Sequence, residues 1–129
     1  MKKTSYETSK KLADAGFKAE TDFYWAKWNQ GEPELLHEKE QTPALIEKVG
    51  AWDLETILEA LPKFIVYNNR RYCLTFWLAG EEIYYEIIGE IDLPENYFHY
   101  IFPTGKKENE SLADAAARLW LKLKEMGLV

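Results

Sequence analysis

The stretch from Lys63 to Ile91, KFIVYNNRRYCLTFWLAGEEIYYEIIGEI, decides the fold of this chain. It contains three runs of strand-forming residues, separated by turn signals at Asn68-Asn69 and at Gly80-Glu81. Because successive side chains of a strand point to opposite faces, the three runs can place their apolar residues on one face of an antiparallel meander. That apolar face requires a cover from elsewhere in the chain.

Pairing across Gly80-Glu81 predicts the register of the second hairpin. The predicted pairs are Leu78 with Ile83, Phe76 with Tyr85 and Leu74 with Ile87. The reverse face then carries a mixture of residue types: Cys73, Thr75, Trp77, Tyr84, Glu86 and Ile88. Such a mixture is typical of a half-covered surface or of a contact site.

The residues before this meander predict a helix and a group of strands. Thr4 and Glu7 have the spacing of a capping box, which predicts a helix over 5–15 that ends at Gly16. Residues 21–28 are rich in strand formers, and residues 34–37 can return as an edge strand after a turn.

The next segment predicts further helical structure. Residues 42–48 have the pattern of a short helical turn that Gly50 stops. Asp53 is a suitable N-cap for a second helix, which ends at Pro62.

The C-terminal part predicts one more strand and the longest helix. Residues 97–102 have strand propensity and are followed by Pro103, which is expected to end the strand. Ser111 is the predicted N-cap of the last helix, and Asp114 and Arg118 have the spacing of an ion pair. The apolar stripe of this helix comprises Leu112, Ala116, Leu119, Leu123 and Met126, widened by Trp120.

Together these elements predict a single domain over residues 1–129 of the α+β class. We expect an antiparallel meander of about four to six strands, with helices packed mainly on one face and the C-terminal helix as the main cover.

The composition of the chain limits the classes of function that it can have. The chain has 129 residues, 16 basic against 22 acidic side chains and a net charge of −6, which argues against nucleic acid as a partner. The local pair Arg70-Arg71 is too short to change this expectation. The single cysteine fits a reducing compartment, and no signal peptide or apolar run of about 20 residues is present, so we expect a cytoplasmic protein without membrane contact.

No motif in the sequence predicts catalysis, and no cofactor is expected. His37, His99 and Cys73 lie on separate segments without the spacing of a metal site. The paired carboxylates at Glu81-Glu82 are interpreted as solvated turn residues. We therefore predict no catalytic residue and no metal ligand.

Four segments resemble the small proteins that are common in bacteriophage and prophage genomes of bacteria. They are the opening helix ending in KLADAGF, the FYW strand, the AWDLETILEALP helix and the SLADAAARLWLKL helix. The resemblance covers about half of the chain and implies a bacterial cytoplasm and a mobile-element origin. It implies no activity.

Aromatic residues make up 15% of the chain, an excess that points to an interface. The candidate interface residues are Tyr24, Trp25, Trp28, Trp77 and Tyr84. The leading hypothesis is a non-enzymatic interaction protein that binds a protein partner, or itself as a homodimer, through an aromatic sheet surface. The alternative is a small-molecule or metal-binding protein, such as a hydrolase, that uses His37, Tyr97 or His99 beside acidic residues.

Overall fold

A computed structural model describes residues 2–28, 31–37, 47–77, 79–88, 100–108 and 110–129. These residues form three helices and seven strands. In chain order the helices are α1 (Tyr6–Asp14), α2 (Leu54–Ala60) and α3 (Leu112–Glu125). The strands are β1 (Phe23–Lys27), β2 (Glu34–His37), β3 (Glu47–Ala51), β4 (Phe64–Tyr67), β5 (Arg70–Trp77), β6 (Glu82–Ile87) and β7 (Tyr100–Gly105).

The described strands form two antiparallel sheets. One has three strands in the order β2-β1-β3, and the other has four in the order β4-β5-β6-β7. Since α3 packs on β6 and β7, the predicted α+β class with the C-terminal helix as cover is confirmed. The difference is that the strands are divided between two sheets, where the sequence pattern predicts one.

Each helix begins at a residue whose side-chain oxygen accepts a hydrogen bond from a backbone N–H of the first turn. Asp53 and Ser111 cap α2 and α3, as predicted. The cap of α1 is Ser5, whose Oγ accepts from the N–H of Thr8. The prediction that Thr4 is this cap is wrong, because the Thr4 hydroxyl is used in a buried contact.

Thr4 joins the N-terminal segment to the residue after β3. Its Oγ1 lies 2.6 Å from Ser9 Oγ and accepts a hydrogen bond from the N–H of Trp52 at 3.2 Å. Its own N–H donates to the carbonyl of Trp52 at 2.7 Å. Since the Thr4 and Ser9 side chains are fully buried, each of these polar groups depends on the others for its partner.

The C-terminus of α1 turns the chain into the core. Gly16 has a φ of 93°, and the N–H of Phe17 donates to the carbonyl of Leu12 at 2.9 Å, which confirms the predicted left-handed termination. The Phe17 ring lies edge-on to Trp52 and Trp120, with centroids 4.9 and 5.0 Å away. Residues from α1, α3 and the β3–α2 connection therefore meet in one cluster.

The three-stranded sheet departs from the prediction at β3. The edge strand Glu34–His37 is confirmed, and β1 is shorter than the predicted 21–28. The helical turn predicted for 42–48 is wrong at 47 and 48, which belong to β3, and 42–46 lie outside the described residues. Tertiary pairing with β1 overrides the local signal. A Cβ at Gly50 would lie 2.8 Å from the Trp52 ring, so glycine serves close packing at this position.

The first hairpin of the four-stranded sheet forms as predicted. Asn68 and Asn69 have φ values of 51° and 61°, which matches the left-handed geometry of a tight hairpin turn. Tyr67 and Arg70 form the pair that flanks this turn.

The predicted register of the second hairpin is wrong by two residues. The last pair before the turn is Trp77 with Glu82, so the connection is longer than Gly80-Glu81. A shift of two residues leaves every side chain on its predicted face. Leu78, which the pattern pairs with Ile83, lies outside the described residues. The observed pairs are Tyr72 with Ile87, Leu74 with Tyr85 and Phe76 with Ile83.

Strand β7 continues past the residue expected to end it. The described part runs over Tyr100–Gly105 and includes Pro103, whereas 97–99 lie outside the described residues. The β6–β7 register shifts between Ile83 and Tyr85, and Phe102 has a φ of 56°. Proline is tolerated at such an irregularity on an outer strand because it removes no regular ladder bond.

Helix α3 covers the inner face of this sheet. Leu119 and Leu123 are fully buried in the same cluster as Ile83 and Tyr85. Met126 is exposed, so the predicted apolar stripe ends one turn earlier. Alanines on α3 bring the helix close to its neighbours; the buried ones are Ala113, Ala115, Ala116 and Ala117.

We expect Thr4→Val to lower the free energy of unfolding by about 1–3 kcal/mol, because valine leaves the buried Trp52 N–H without its acceptor and leaves the Ser9 hydroxyl only its bond to the Thr4 carbonyl. Denaturant unfolding measures the change. Thr4→Ser is the control, since it keeps the hydroxyl and removes one methyl group. A Thr4→Val loss no larger than the Thr4→Ser loss would contradict the proposed role.

Stability at acid pH should depend on Asp53. Hydrogen bonds from the backbone and hydroxyl of Thr56, and the nearby Lys3 ammonium, hold the pKa of this carboxyl below its ordinary value, although burial opposes them. The unfolded chain therefore binds the proton first, and the stabilisation present above the ordinary pKa is lost as the pH falls through the folded pKa.

We expect the free energy of unfolding to fall below about pH 5, and to fall less steeply in Asp53→Asn, which keeps a capping side chain without the charge. Urea unfolding across this pH range tests the difference. Parallel pH dependences in the two proteins would show that Asp53 is not responsible.

Candidate functional site

The candidate functional site is the face of the four-stranded sheet that points away from the core. Side chains alternate along β5, so Tyr72 enters the core whereas Trp77 is exposed to solvent. We call the exposed side the outer face. Its residues are Phe64, Val66, Arg71, Cys73, Thr75, Trp77, Glu82, Tyr84, Glu86, Ile88 and Tyr100.

The outer face concentrates the exposed apolar side chains. Seven large hydrophobic residues are exposed in the described part of the chain, and two of them, Leu35 and Met126, lie elsewhere. The others share the outer face; they are Phe64 (61% exposed), Val66 (63%), Trp77 (54%), Ile88 (36%) and Tyr100 (50%). Single exposed apolar residues are ordinary, so their grouping on one sheet face is what makes the outer face the candidate contact surface.

Cross-strand pairing arranges the outer face in four rows. Each row is named after the β5 residue that it contains, and the rows are given in order along β5. The Arg71 row also holds Val66 and Ile88, and the Cys73 row holds Phe64, Glu86 and Tyr100. The Thr75 row holds Tyr84, and the Trp77 row holds Glu82. The Cys73 row therefore crosses all four strands of the sheet.

Neighbouring aromatic rings connect these rows. The Tyr84 and Tyr100 rings are tilted by 52°, with centroids 5.3 Å apart, so they form one aromatic surface across β6 and β7. Trp77 lies at the far end of the face, where its ring packs on Gly80: a Cβ at Gly80 would approach the ring to 2.4 Å.

Charged groups are sparse on the outer face and separated in space. Arg71 lies at one end, between two exposed aliphatic residues, and Glu82 lies at the other end beside Trp77. Glu86 lies between them in the Cys73 row. Within the described residues, the Arg71 and Glu82 side chains form no ion pair with each other or with another side chain.

Two of the five predicted interface residues, Trp77 and Tyr84, lie on the outer face. Tyr24 and Trp25 lie in β1 of the three-stranded sheet, and Trp28 comes directly after β1, so the five residues do not form one surface. Tyr24 is 3% exposed, with Lys48 Nζ 4.4 Å from its ring centroid. Its burial leaves it outside the surface proposed below.

Trp25 and Trp28 are half-buried. The Trp25 Nε1 donates to the carbonyl of Thr4 at 2.9 Å, and its ring lies edge-on to Tyr6 at 6.4 Å. The first helix and the residues before it therefore cover part of the Trp25 ring.

The sequence reasoning missed Phe64, Val66 and Tyr100. The sequence of β4 did contain a signal for Phe64 and Val66: they alternate with Ile65, so they lie on the opposite face of the strand from it. The turn at Asn68-Asn69 fixes the register of β4 against β5 and hence aligns Phe64 with Cys73. Tyr100 becomes part of this surface only because β7 pairs it with Glu86.

A charged groove between α1 and α3 has a structural explanation. Arg118 binds both carboxylate oxygens of Glu110, at 3.0 and 2.8 Å, and also donates to the carbonyl of Gly105. The predicted Asp114–Arg118 pair is wrong, because the Asp114 carboxylate instead accepts from the N–H of Ser5 at 2.8 Å. Glu110, Asp114 and Arg118, which line this groove, are therefore all paired within the protein.

Glu110 is held in its charged form by this arrangement. Burial alone would raise the pKa of its carboxyl, but hydrogen bonds from Arg118 and from the N–H of Lys107, with the charges of both residues, lower the pKa overall. A bidentate guanidinium contact of this kind links the start of α3 to the preceding segment.

Only one of the two histidines, His37, lies in the described structure. The His37 ring lies edge-on to Phe23 with centroids 5.0 Å apart, whereas Tyr97 and His99 lie outside the described residues. Among the described residues, no group of three or more histidine, cysteine or acidic side chains is placed to hold a metal ion.

Arg70 and Arg71 do not form one basic patch. They are adjacent on β5, so their side chains point to opposite faces, and only Arg71 belongs to the outer face. The expectation that nucleic acid is not a partner stays a prediction.

Comparison with protein-family models, with curated proteins and with solved structures gave no match. None of the described helices has both the length and the apolar character needed to cross a membrane.

Exposure of the outer face can be measured through tryptophan fluorescence. We expect Trp77→Phe to remove the largest share of the fluorescence that acrylamide quenches, because Trp77 is exposed whereas Trp52 and Trp120 are buried. The measurement is made at low protein concentration. Trp28→Phe is the control, and equal loss of quenching in the two variants would show that Trp77 is covered.

Proposed function

We propose that this chain is a non-enzymatic interaction protein whose outer face binds a protein partner. The observation that carries the proposal is the grouping of exposed apolar side chains on one face of the four-stranded sheet. A bacterial cytoplasm and an origin in a phage or prophage belong to the same proposal, and they are supported only by the sequence resemblance and the single cysteine.

The dimensions of the sheet support a protein as the binding partner. Strands lie about 4.8 Å apart, and a strand of about six residues is about 20 Å long, so four strands present a face of roughly 400 Å² before side-chain relief is counted. The whole face is therefore comparable in area to the largest apolar patch of a typical monomeric protein, which is often functional. An open sheet face suits another protein surface better than a small molecule, which is usually bound in a concave pocket.

The chemistry of the outer face also fits a protein interface. Trp77, Tyr84 and Tyr100 are of the residue types that contribute most binding energy in interface centres, and charged side chains are few. The half-buried Thr75 between them adds a hydrogen-bonding group without a charge.

The small-molecule or metal-binding alternative stays a prediction. It requires Tyr97 or His99 to meet acidic groups, and these two residues lie outside the described structure. His37, its remaining candidate, is part of an aromatic contact on β2.

Photo-crosslinking tests the proposed function. We expect Val66→p-benzoylphenylalanine, on the outer face, to form adducts with protein in a bacterial extract, because this position is exposed within the apolar group. An excess of unlabelled protein should compete for these adducts, and Trp77→Ser and Phe64→Ser should each weaken them several-fold.

Leu35→p-benzoylphenylalanine is the matched control, since Leu35 is an exposed apolar residue of the other sheet. Adducts that are equally strong from both positions, or that do not compete, would contradict binding through the outer face.

A further inference from the structure

We propose that the outer face binds the outer face of a second copy of this chain, related by a two-fold axis that runs between the two sheets and perpendicular to their strands. This inference rests on the proposed function, since it names the partner of the same surface. It is carried by the way in which charge is distributed over the four rows.

The outer face has one positive and one negative end. Arg71 is the second residue of β5 and Trp77 is the last, so their rows are about 20 Å apart. The positive end holds Arg71 with Val66 and Ile88, and the negative end holds Glu82. Neither charge is neutralised by another described side chain.

A two-fold axis perpendicular to the strands reverses the strand direction and places each strand over its own copy. It therefore brings the positive end of one face over the negative end of the other. Arg71 of one copy then meets Glu82 and the Trp77 ring of the other, and symmetry makes this contact twice. A guanidinium group can pair with a carboxylate and stack on an indole at the same time.

The same rotation also gives the polar residues in the middle of the outer face suitable partners. With the axis level with Leu74, the Cys73 row of one copy lies over the Thr75 row of the other. Glu86 is thereby placed opposite Tyr84, whose phenol can donate a hydrogen bond to the carboxylate. The two Glu86 carboxylates stay in different rows, so they are not brought into direct contact.

The alternative symmetric arrangement is disfavoured by charge. A two-fold axis parallel to the strands keeps the strand direction, so each row meets its own copy. Both Arg71 guanidinium groups then gather at one end, and both Glu82 carboxylates gather at the other. Like charges in apposition oppose association, and the outer face therefore favours the arrangement with reversed strands.

The limited area indicates a weak dimer. A face of roughly 400 Å² lies below the size of a standard protein interface, so we expect a dimer that dissociates on dilution. Sedimentation equilibrium from about 1 to about 500 µM covers the transition between monomer and dimer.

Charge reversal tests both the partner and the arrangement. We expect R71E alone and E82R alone each to weaken self-association by roughly tenfold, because each substitution places like charges together at two symmetric contacts. An equimolar mixture of R71E and E82R should associate at least as tightly as the wild type, since both contacts then join opposite charges. K18E and E59R, at exposed positions outside the outer face, are the matched controls and should not change association.

The inference is overturned if the wild type stays monomeric over this concentration range, or if the mixture associates no more tightly than either variant alone. The outcome is separable from that of the proposed function. A monomeric protein whose Val66 probe still forms competable adducts with other proteins keeps the proposed function and removes the second copy as its partner. A monomeric protein without such adducts removes both.

Discussion

The packing of α3 against the inner face of the four-stranded sheet is the contact on which the rest of the structure depends. Leu119 and Leu123 meet Ile83 and Tyr85 in a fully buried cluster. The Tyr85 hydroxyl donates to the carbonyl of Pro62 at 2.7 Å, and burial raises the pKa of this phenol, so the polar end of the side chain stays neutral and paired. One helix thereby secures a central strand and the start of β4 together.

Covering one face of a sheet determines what the other face exposes. Strand side chains alternate, so each inward residue of β4 and β5 requires an outward neighbour. In the described structure, α1 packs on β3 and α3, and α2 packs on α3, so both helices lie with the core and away from the outer face. The apolar residues of that face therefore lack a helical cover among the described elements, and burial of their surface against a partner would be favourable.

Much of the fold could be predicted because its signals are local. Asp53, Ser111 and the Asn68-Asn69 turn act through hydrogen bonds or φ preferences within a few residues, and all formed as expected. The faces of β5 and β6 were also predictable, because they depend only on alternation. The errors arose where contacts between residues far apart in the sequence determine the structure. Thr4 does not cap α1 because its hydroxyl contacts Trp52, and residues 47–48 form a strand because they pair with β1.

The candidate site was only partly predictable for the same reason. Trp77 and Tyr84 were found because they occupy the reverse face of the second hairpin. Tyr24 was included because both faces of β1 contain apolar residues, and the sequence does not show which of them the core covers. Phe64 was missed because its exposure follows from the position of α3, which lies far along the chain.

In the proposed complex, the polar residues of the outer face would supply specificity that apolar residues alone lack. A sheet face made only of apolar side chains could associate in many orientations, which promotes aggregation. Arg71 and Glu82 at opposite ends make orientations unequal in energy, since only reversed strands bring unlike charges together. Glu86 in the centre adds a desolvation cost that only a partner with a hydrogen-bond donor at that point can offset. Affinity would therefore come from the aromatic and aliphatic side chains, whereas the three charges would select the partner and its orientation.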